Sequence, residues 1–297
     1  MGNQKIVILV TITNIILPSS PLAVLTTGKL FKGIMITISL DPIIFSIGNF
    51  HLRWYGLIVA AAILIGTLLA VREAGRKGFN TEKITENVLW IIIAGMIGAR
   101  LFHVIDHWPG EFAANPIRAL YIWEGGLAIW GGVLGGLIAL AILARIEHWN
   151  FPRLLDAFVP GVVLAQAIGR IACIITGDAI GKPTNGPFGF AYTNPNAMVP
   201  QLGVYYTPTP VYEVLMNLTI FTLLWKLRKK NLPDGLLSLI YLVFYSSVRF
   251  FIAFTSSYLI IALGLNQAQI ISILVFTVSV SILIIALLKK RQLSMKT

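Results

Sequence analysis

Cysteine is almost missing from this chain. Cys173 stands alone among 297 residues, so no intrachain disulfide can form, and no Cys/His spacing resembles a zinc site. Charge is scarce as well. Asp, Glu, Lys and Arg make up 12% of the residues, about half of the ~25% typical of a soluble domain. With 57% hydrophobic residues, that scarcity excludes an ordinary water-soluble domain and points to a membrane protein. Acids are the scarcer charges, 12 against 23 Lys and Arg, leaving a formal net charge of +11. In a soluble protein that excess would suggest nucleic acid. Here it reads as the Lys/Arg bias that orients membrane proteins, and no nucleic-acid partner is expected.

What the chain does contain is long apolar runs. Seven stretches approach the roughly 20 residues needed to cross a hydrocarbon core: 55–71, 84–105, 126–144, 157–177, 210–225, 235–254 and 267–288. The segments joining them alternate in basic content. Arg72, Arg76, Lys77 and Lys83 separate the first two runs, Arg145 and Arg153 follow the third, Lys226, Arg228, Lys229 and Lys230 follow the fifth, and Lys289, Lys290, Arg291 and Lys296 follow the last. The intervening segments hold Arg118, then Lys182, then neither Lys nor Arg. The positive-inside rule therefore puts the N-side of the first run outside and the C-terminus in the cytoplasm. The expected fold class is an all-α polytopic membrane protein with about seven transmembrane helices. Two longer outside segments, 106–125 and 178–209, are expected to form a lid, because loops of that length commonly cover a site. Residues 1–34 read as an extension, either signal-like or upstream of a start at Met35. Residues 35–297 read as one integral membrane domain.

Within the fourth run, "VVLAQAIGRIACIITGDAIGKP" carries Arg170 in an otherwise apolar helix-length stretch. Arg100 sits about five residues from the outer end of the second run, Arg170 about seven from that of the fourth, and Arg249 about five from that of the sixth. At 1.5 Å rise per residue all three fall roughly 7–11 Å below the outer ends. A guanidinium at the centre of a span costs about 2.5–3.5 kcal/mol on insertion scales, so each needs a partner. Snorkelling or a buried acid would serve, yet the candidate acids Glu213, Asp178 and Asp106 are few and fall near the surface in sequence. A lipid phosphate entering from the outer leaflet is the better partner, because guanidinium forks match phosphate oxygens. One phosphate site built from Arg100, Arg170 and Arg249 is therefore expected.

Other polar groups gather at that depth. "NFHLRWYGL" puts Arg53 and Tyr55 at the outer mouth of the first run. Arg100, His103 and His107 share a helix face by spacing. His103 is either a general base near neutral pH or an interfacial histidine bonded to a backbone carbonyl. Tyr212 and Glu213 open the fifth run, where Glu213 is a counter-charge for an arginine. The pairs Gly131/Gly135 and Gly132/Gly136 in "EGGLAIWGGVLGGL" predict close helix packing. Asp156 reads as an N-cap at the inner surface. No convincing internal repeat is present and the charges gather in one leaflet, both of which speak against a transporter.

Taken in order, "DPIIFSIGNFHLRWYGL", "GARL", "EGGLAIWGGVLGG", "LLDAFVPGVVLAQAIGRIACIITGDAIGKP", "PTPVYE" and "SVRFF" resemble the prolipoprotein diacylglyceryl transferase family, from about Ile36 to Leu288. The resemblance implies an enzyme of the bacterial plasma (inner) membrane. Such an enzyme takes the diacylglyceryl group from phosphatidylglycerol and attaches it to the lipobox cysteine of a prolipoprotein signal peptide, releasing glycerol phosphate. It implies no metal and no cofactor, and membrane lipids as surroundings. Arg170 and Arg249 match the family's two essential arginines, Tyr55 its "WYG" tyrosine, and Glu213 the acid of its "YE" pair. Asp156 and Gly181 fall on signature-region positions. The family's Arg-x-Gly-Asn-Phe-x-Asn-Gly-Glu reads "RIACIITGD" here, so Cys173 and Thr176 replace two Asn and Asp178 shortens the acid. Trp130 and Thr207 stand where the family carries His. Indole only donates, so Trp130 cannot act as a base, and His103 is the expected substitute. The alternatives are a relative that uses another acceptor, or a non-catalytic lipid-binding or transport protein.

Overall fold

Gly78, at φ +85°, and His148, at φ +54°, occupy equivalent places in two helical hairpins that make the first half of the molecule. The computed structural model describes residues 34–48, 50–122 and 125–294, so the expected extension lies outside the described residues apart from Ile34. In the first hairpin α1 (Trp54–Arg76) ends where the Lys77 N–H turns back to the Glu73 and Ala74 carbonyls. Asn80 then caps α2 (Thr81–Asp106) by accepting the N–H groups of Glu82 and Lys83. In the second, α3 (Ile129–Ile146) leads to Asn150, which caps α4 (Phe151–Thr176) by accepting the Arg153 N–H. Phe79 and Trp149 of the two turns meet edge to face at 5.4 Å. The hairpins pack crosswise, α1 along α4 and α2 along α3. Glycine makes both approaches possible. A methyl on Gly161 would overlap the Gly66 carbonyl, and methyls on Gly131 and Gly135 would overlap the Gly98 and Ala94 carbonyls. Gly136, paired with Gly132 by sequence, faces open space.

The second half adds α5 (Thr209–Leu227), α6 (Leu236–Ile252) and α7 (Gln267–Ser294). α5 and α6 lie on α4, and α7 lies on α6. Val159, Val163, Met216, Ile220, Leu224 and Leu237 form the core between α4, α5 and α6. Ala74, Ile84, Leu140, Leu154 and Ala157 form a second core that joins the hairpins.

Among the described residues six helices are long and apolar enough to cross a membrane: α1 to α4, Leu236–Thr255 containing α6, and Gln267–Ile285 of α7. α5 falls outside that set; it carries Glu213, Asn217 and Lys226 within its 19 residues. The apolar positions do not turn inward. At most 39% of any of these spans is buried within the protein, and Leu64, Leu68, Trp90, Ile97 and Leu274 stay exposed. A soluble bundle would hide that surface, whereas a lipid-facing one keeps it outside. The molecule is a mostly helical, multi-pass membrane protein.

The all-α expectation needs one correction. Six short strands form three two-stranded sheets among the described residues. β1 (Ile34–Ile38) pairs in parallel with β4 (Phe188–Tyr192), while β2 (Ile43–Ile47) pairs antiparallel with β3 (Phe50–Arg53). β5 (Ile260–Ala262) and β6 (Leu265–Asn266) make a small hairpin before α7. These strands are two to five residues long, too short for alternation to register. β1 finds its partner some 150 positions away, so local pattern carries no trace of the pairing. The 178–209 segment is consequently a packed cap. Ile180, Tyr192 and Tyr206 form its core. The Tyr192 hydroxyl donates to the Ile174 carbonyl at 2.7 Å, and burial, with Cys173 nearby, pushes its phenol above the ordinary value.

Candidate active site

Helix α4 delivers Arg170, α5 delivers Glu213 and α6 delivers Arg249 to one point near the strand-bearing end of the bundle. Glu213 lies in the second turn of α5 and is only 2% exposed. Arg170 Nε stands 2.5 Å from Glu213 Oε2, and Arg249 Nη1 pairs with Glu213 Oε1. One buried carboxylate is thus held between two guanidiniums from different helices. The Oε2 contact with Arg170 is an ion contact without hydrogen-bond alignment. Arg249 Nη2 also donates to the Tyr258 hydroxyl at 3.2 Å, and its guanidinium lies 5.7 Å from the Tyr258 ring centroid. Among the described residues Arg170 Nη1 donates only to the Cys173 sulfur, at 3.8 Å.

Of the three candidate acids, Asp106 is exposed as expected, whereas Glu213 is buried rather than near the surface, and it serves as the counter-charge. Tertiary packing draws the start of α5 inward, so Glu213 becomes the internal partner of both arginines. A bare pair of guanidiniums would be costly at this depth; the bridging carboxylate removes most of that penalty.

Tyr55 lies in the first turn of α1, 40% exposed, within electrostatic range of Arg170, Cys173 and Asp178. Asp178 turns Oδ1 to the Ala179 N–H at 2.8 Å. Gly181 is buried between Thr207, Thr209 and Thr255, where a methyl would meet the Thr209 hydroxyl at 2.5 Å. Its N–H donates to the Thr207 carbonyl at 3.0 Å, so this glycine lets the cap pass over the entrance to α5. Thr176 donates to the Ala172 carbonyl at 3.0 Å, and Trp130 is exposed near the start of α3.

Arg100 does not join this cluster. It is 7% exposed and donates to the carbonyls of Ala119 (2.9 Å), Gly125 (2.6 Å), Gly126 (3.2 Å), Arg118 (2.6 Å) and Tyr121 (3.3 Å). Its guanidinium folds the segment after α2, with Phe112 beneath it at 5.3 Å. The expected triad of arginines is therefore a pair, because backbone carbonyls satisfy the third. His103 belongs with Arg100. Its ring stands 3.6 Å from the Glu111 carboxylate and 4.2 Å from the His107 ring. No hydrogen bond or ion pair among the described residues links it to Arg170 or Arg249. Arg53 is exposed at the start of α1.

Asp156 also has a different task from the expected one. Asn150 caps α4, while Asp156 is buried within it and accepts from the Gly235 N–H (2.9 Å), the Ser238 N–H (2.8 Å) and the Ser238 hydroxyl (2.8 Å). It caps α6 from a neighbouring helix, with Lys77 at 3.8 Å. Its oxygens are committed at the basic end, away from the arginine pair.

Sequence reasoning passed over Tyr245 and Tyr258, both within electrostatic range of Arg170. Tyr245 precedes Arg249 by one helical turn, and that i, i+4 spacing was the available signal. Tyr258 lies beyond the end of α6, where spacing says nothing. Asn217, one turn beyond Glu213, buries an amide oxygen with no partner among the described residues.

A family model for prolipoprotein diacylglyceryl transferase matches residues 42–285. A phosphatidylglycerol–prolipoprotein diacylglyceryl transferase from Halalkalibacterium halodurans is 36% identical over 239 residues, covering 79% of this chain and 82% of the relative. One of the same name from Staphylococcus aureus is 34% identical over 249 residues, covering 82% and 88%.

Proposed function

Since the chain belongs to the prolipoprotein diacylglyceryl transferase family, we propose that it transfers the diacylglyceryl group of phosphatidylglycerol to the lipobox cysteine thiol of a prolipoprotein, in the bacterial inner membrane. The observation that carries this reading is the Arg170–Glu213–Arg249 cluster near the strand-bearing end of the helices, whose two guanidiniums suit a lipid phosphate. The orientation that suits it has seven spans, α5 included, with the strand-bearing end outside and the C-terminus in the cytoplasm.

In the proposed step the lipobox thiol gives up its proton, since the thiolate is the nucleophile. Sulfur forms a bond to the terminal glyceryl carbon as the bond from that carbon to the phosphate oxygen breaks. The bonding pair stays on oxygen, and glycerol phosphate leaves with one more negative charge than it had as a diester. Arg170 and Arg249 hold the phosphate and stabilise the charge that develops on it. Tyr55 and Asp178 border the approach, and Gly181 keeps the cap closed above it. His103 is assigned the thiol proton on spacing and chemistry, Arg53 meets headgroups at the mouth of α1, and Cys173 is not required as a nucleophile.

Complementation of a transferase-depleted bacterium tests the reading. The wild-type gene restores growth, and Arg170→Ala at equal expression does not. A second reading is favoured by Trp130, Cys173, Thr176 and Thr207, which stand at positions the family fills with His or Asn. It keeps the lipid donor and changes the acceptor. A well-expressed wild type that binds phosphatidylglycerol but fails to complement selects it.

A further inference from the structure

Glu213 has a property that a simple phosphate pocket would lack: it is an anion already seated where an anion should bind. Its two oxygens each engage one guanidinium, it is 2% exposed, and no other carboxylate among the described residues contacts Arg170 or Arg249. Asp178 spends Oδ1 on its own loop. Two guanidinium charges less one carboxylate leave a single net positive charge for the ligand. Resting on the proposed lipid-phosphate site, we propose that Glu213 is a specificity-determining residue. It tunes the arginine pair to a phosphodiester of one negative charge and disfavours a phosphate monoester of two.

The physical ground is charge balance in a poorly screened site. A singly charged diester neutralises the cluster, whereas a dianion leaves an uncompensated negative charge beside Glu213, which is strongly unfavourable away from water. Transfer itself converts the one into the other. The donor enters as a diester, and the released glycerol phosphate carries close to two charges, given a second ionisation near about pH 6. Product formation thus sets its own repulsion against Glu213, and release follows without a separate gate. The donors left over for a ligand are consistent with this. Arg170 Nη2 makes no hydrogen bond among the described residues, and Nη1 touches only sulfur. A phosphate can therefore dock on Arg170 while Nε keeps Glu213.

The test uses the full chain in nanodiscs with two soluble probes at about pH 8: glycerophosphoglycerol, a diester with one charge, and glycerol phosphate, a monoester with nearly two. Each is measured as a competitor of phosphatidylglycerol, with wild type, Arg170→Ala and Glu213→Gln side by side. In the wild type the diester competes at least as well as the monoester, and Arg170→Ala weakens both. Coulomb energy scales with the product of charges, so Glu213→Gln tightens the monoester by about the square of its factor on the diester, for example about a hundredfold against about tenfold. Slower turnover and stronger product inhibition accompany the change. Equal factors for the two probes, or no change, would overturn the role of Glu213 while leaving the phosphate site intact. If Glu213→Gln does not fold, the wild-type comparison decides: a monoester that outcompetes the diester about tenfold or more overturns the proposal. If neither probe competes in the wild type, the phosphate-site reading fails, and this inference with it.

Discussion

Arg100, Arg170 and Arg249 give the same signal in the sequence, a cation in an apolar helix, and have different partners. Depth along a helix can be counted from the sequence, which is why the three were expected at a similar level. The partner was not, because it depends on what the other elements bring. Arg170 and Arg249 meet a carboxylate from α5, while Arg100 meets five carbonyls of the segment that follows its own helix. Two measurements separate the roles. Arg170→Lys and Arg249→Lys keep the charge and lose the planar fork, and transfer activity falls by about 10²–10³ with the protein still folded. Arg100→Ala instead loses several charge-assisted hydrogen bonds and lowers stability by about 3 kcal/mol or more. It appears as a drop in melting temperature and as protease sensitivity around residues 116–126. His103→Ala tests the remaining assignment. Undiminished transfer removes the histidine from the mechanism and leaves it as a support for the Arg100 segment.

At the scale of elements, the helices were legible almost to their ends and the strands were not. Apolar runs of about 20 residues are set by bilayer thickness, so the run at 55–71 lies within Trp54–Arg76 and the run at 267–288 within Gln267–Ser294. α1 extends past its apolar limit because Arg72, Glu73, Ala74 and Arg76 are good helix formers, Gly75 being the exception. Pairing of β1 with β4 depends on chain segments far apart, which no local window contains. The two hairpins supply a sharper comparison. His148 adopts the left-handed conformation that Gly78 occupies at the equivalent turn, a conformation costing an L-residue roughly 1–2 kcal/mol. His148→Gly therefore stabilises the protein by about 1 kcal/mol in thermal unfolding. On α3 the prediction runs along the helix: Gly131→Ala forces α2 away and is strongly destabilising, whereas Gly136→Ala, facing open space, is tolerated. Equal melting temperatures for those two variants would contradict the packing described here.

For the whole molecule, composition already declared a membrane protein. What it could not convey is that three buried carboxylates fasten the helices at the two ends. At the basic end Glu73 of α1 accepts from Arg228, the C-cap of α5, at 3.0 Å, and Asp156 fastens α4 to the start of α6. At the other end Glu213 fastens α4, α5 and α6 together. Orientation is checked with an impermeant thiol reagent, to which the buried native Cys173 contributes little background. Lys182→Cys labels in intact cells, while Lys229→Cys labels only after permeabilisation. The opposite pattern would invert the proposed topology.

The fastenings at Asp156 and Glu213 have a mechanical consequence. Fourteen residues of α4 separate Asp156 from Arg170, about 21 Å at 1.5 Å per residue. When an incoming phosphate shares Arg170 with Glu213, only the joint at that end needs to yield, and Asp156 remains as the fulcrum. Widening the arginine pair by about 1 Å then needs a swing of roughly 3° over that lever arm. So small a rotation disturbs none of the close glycine crossings, and a headgroup can be admitted by leverage rather than by unfolding a lid.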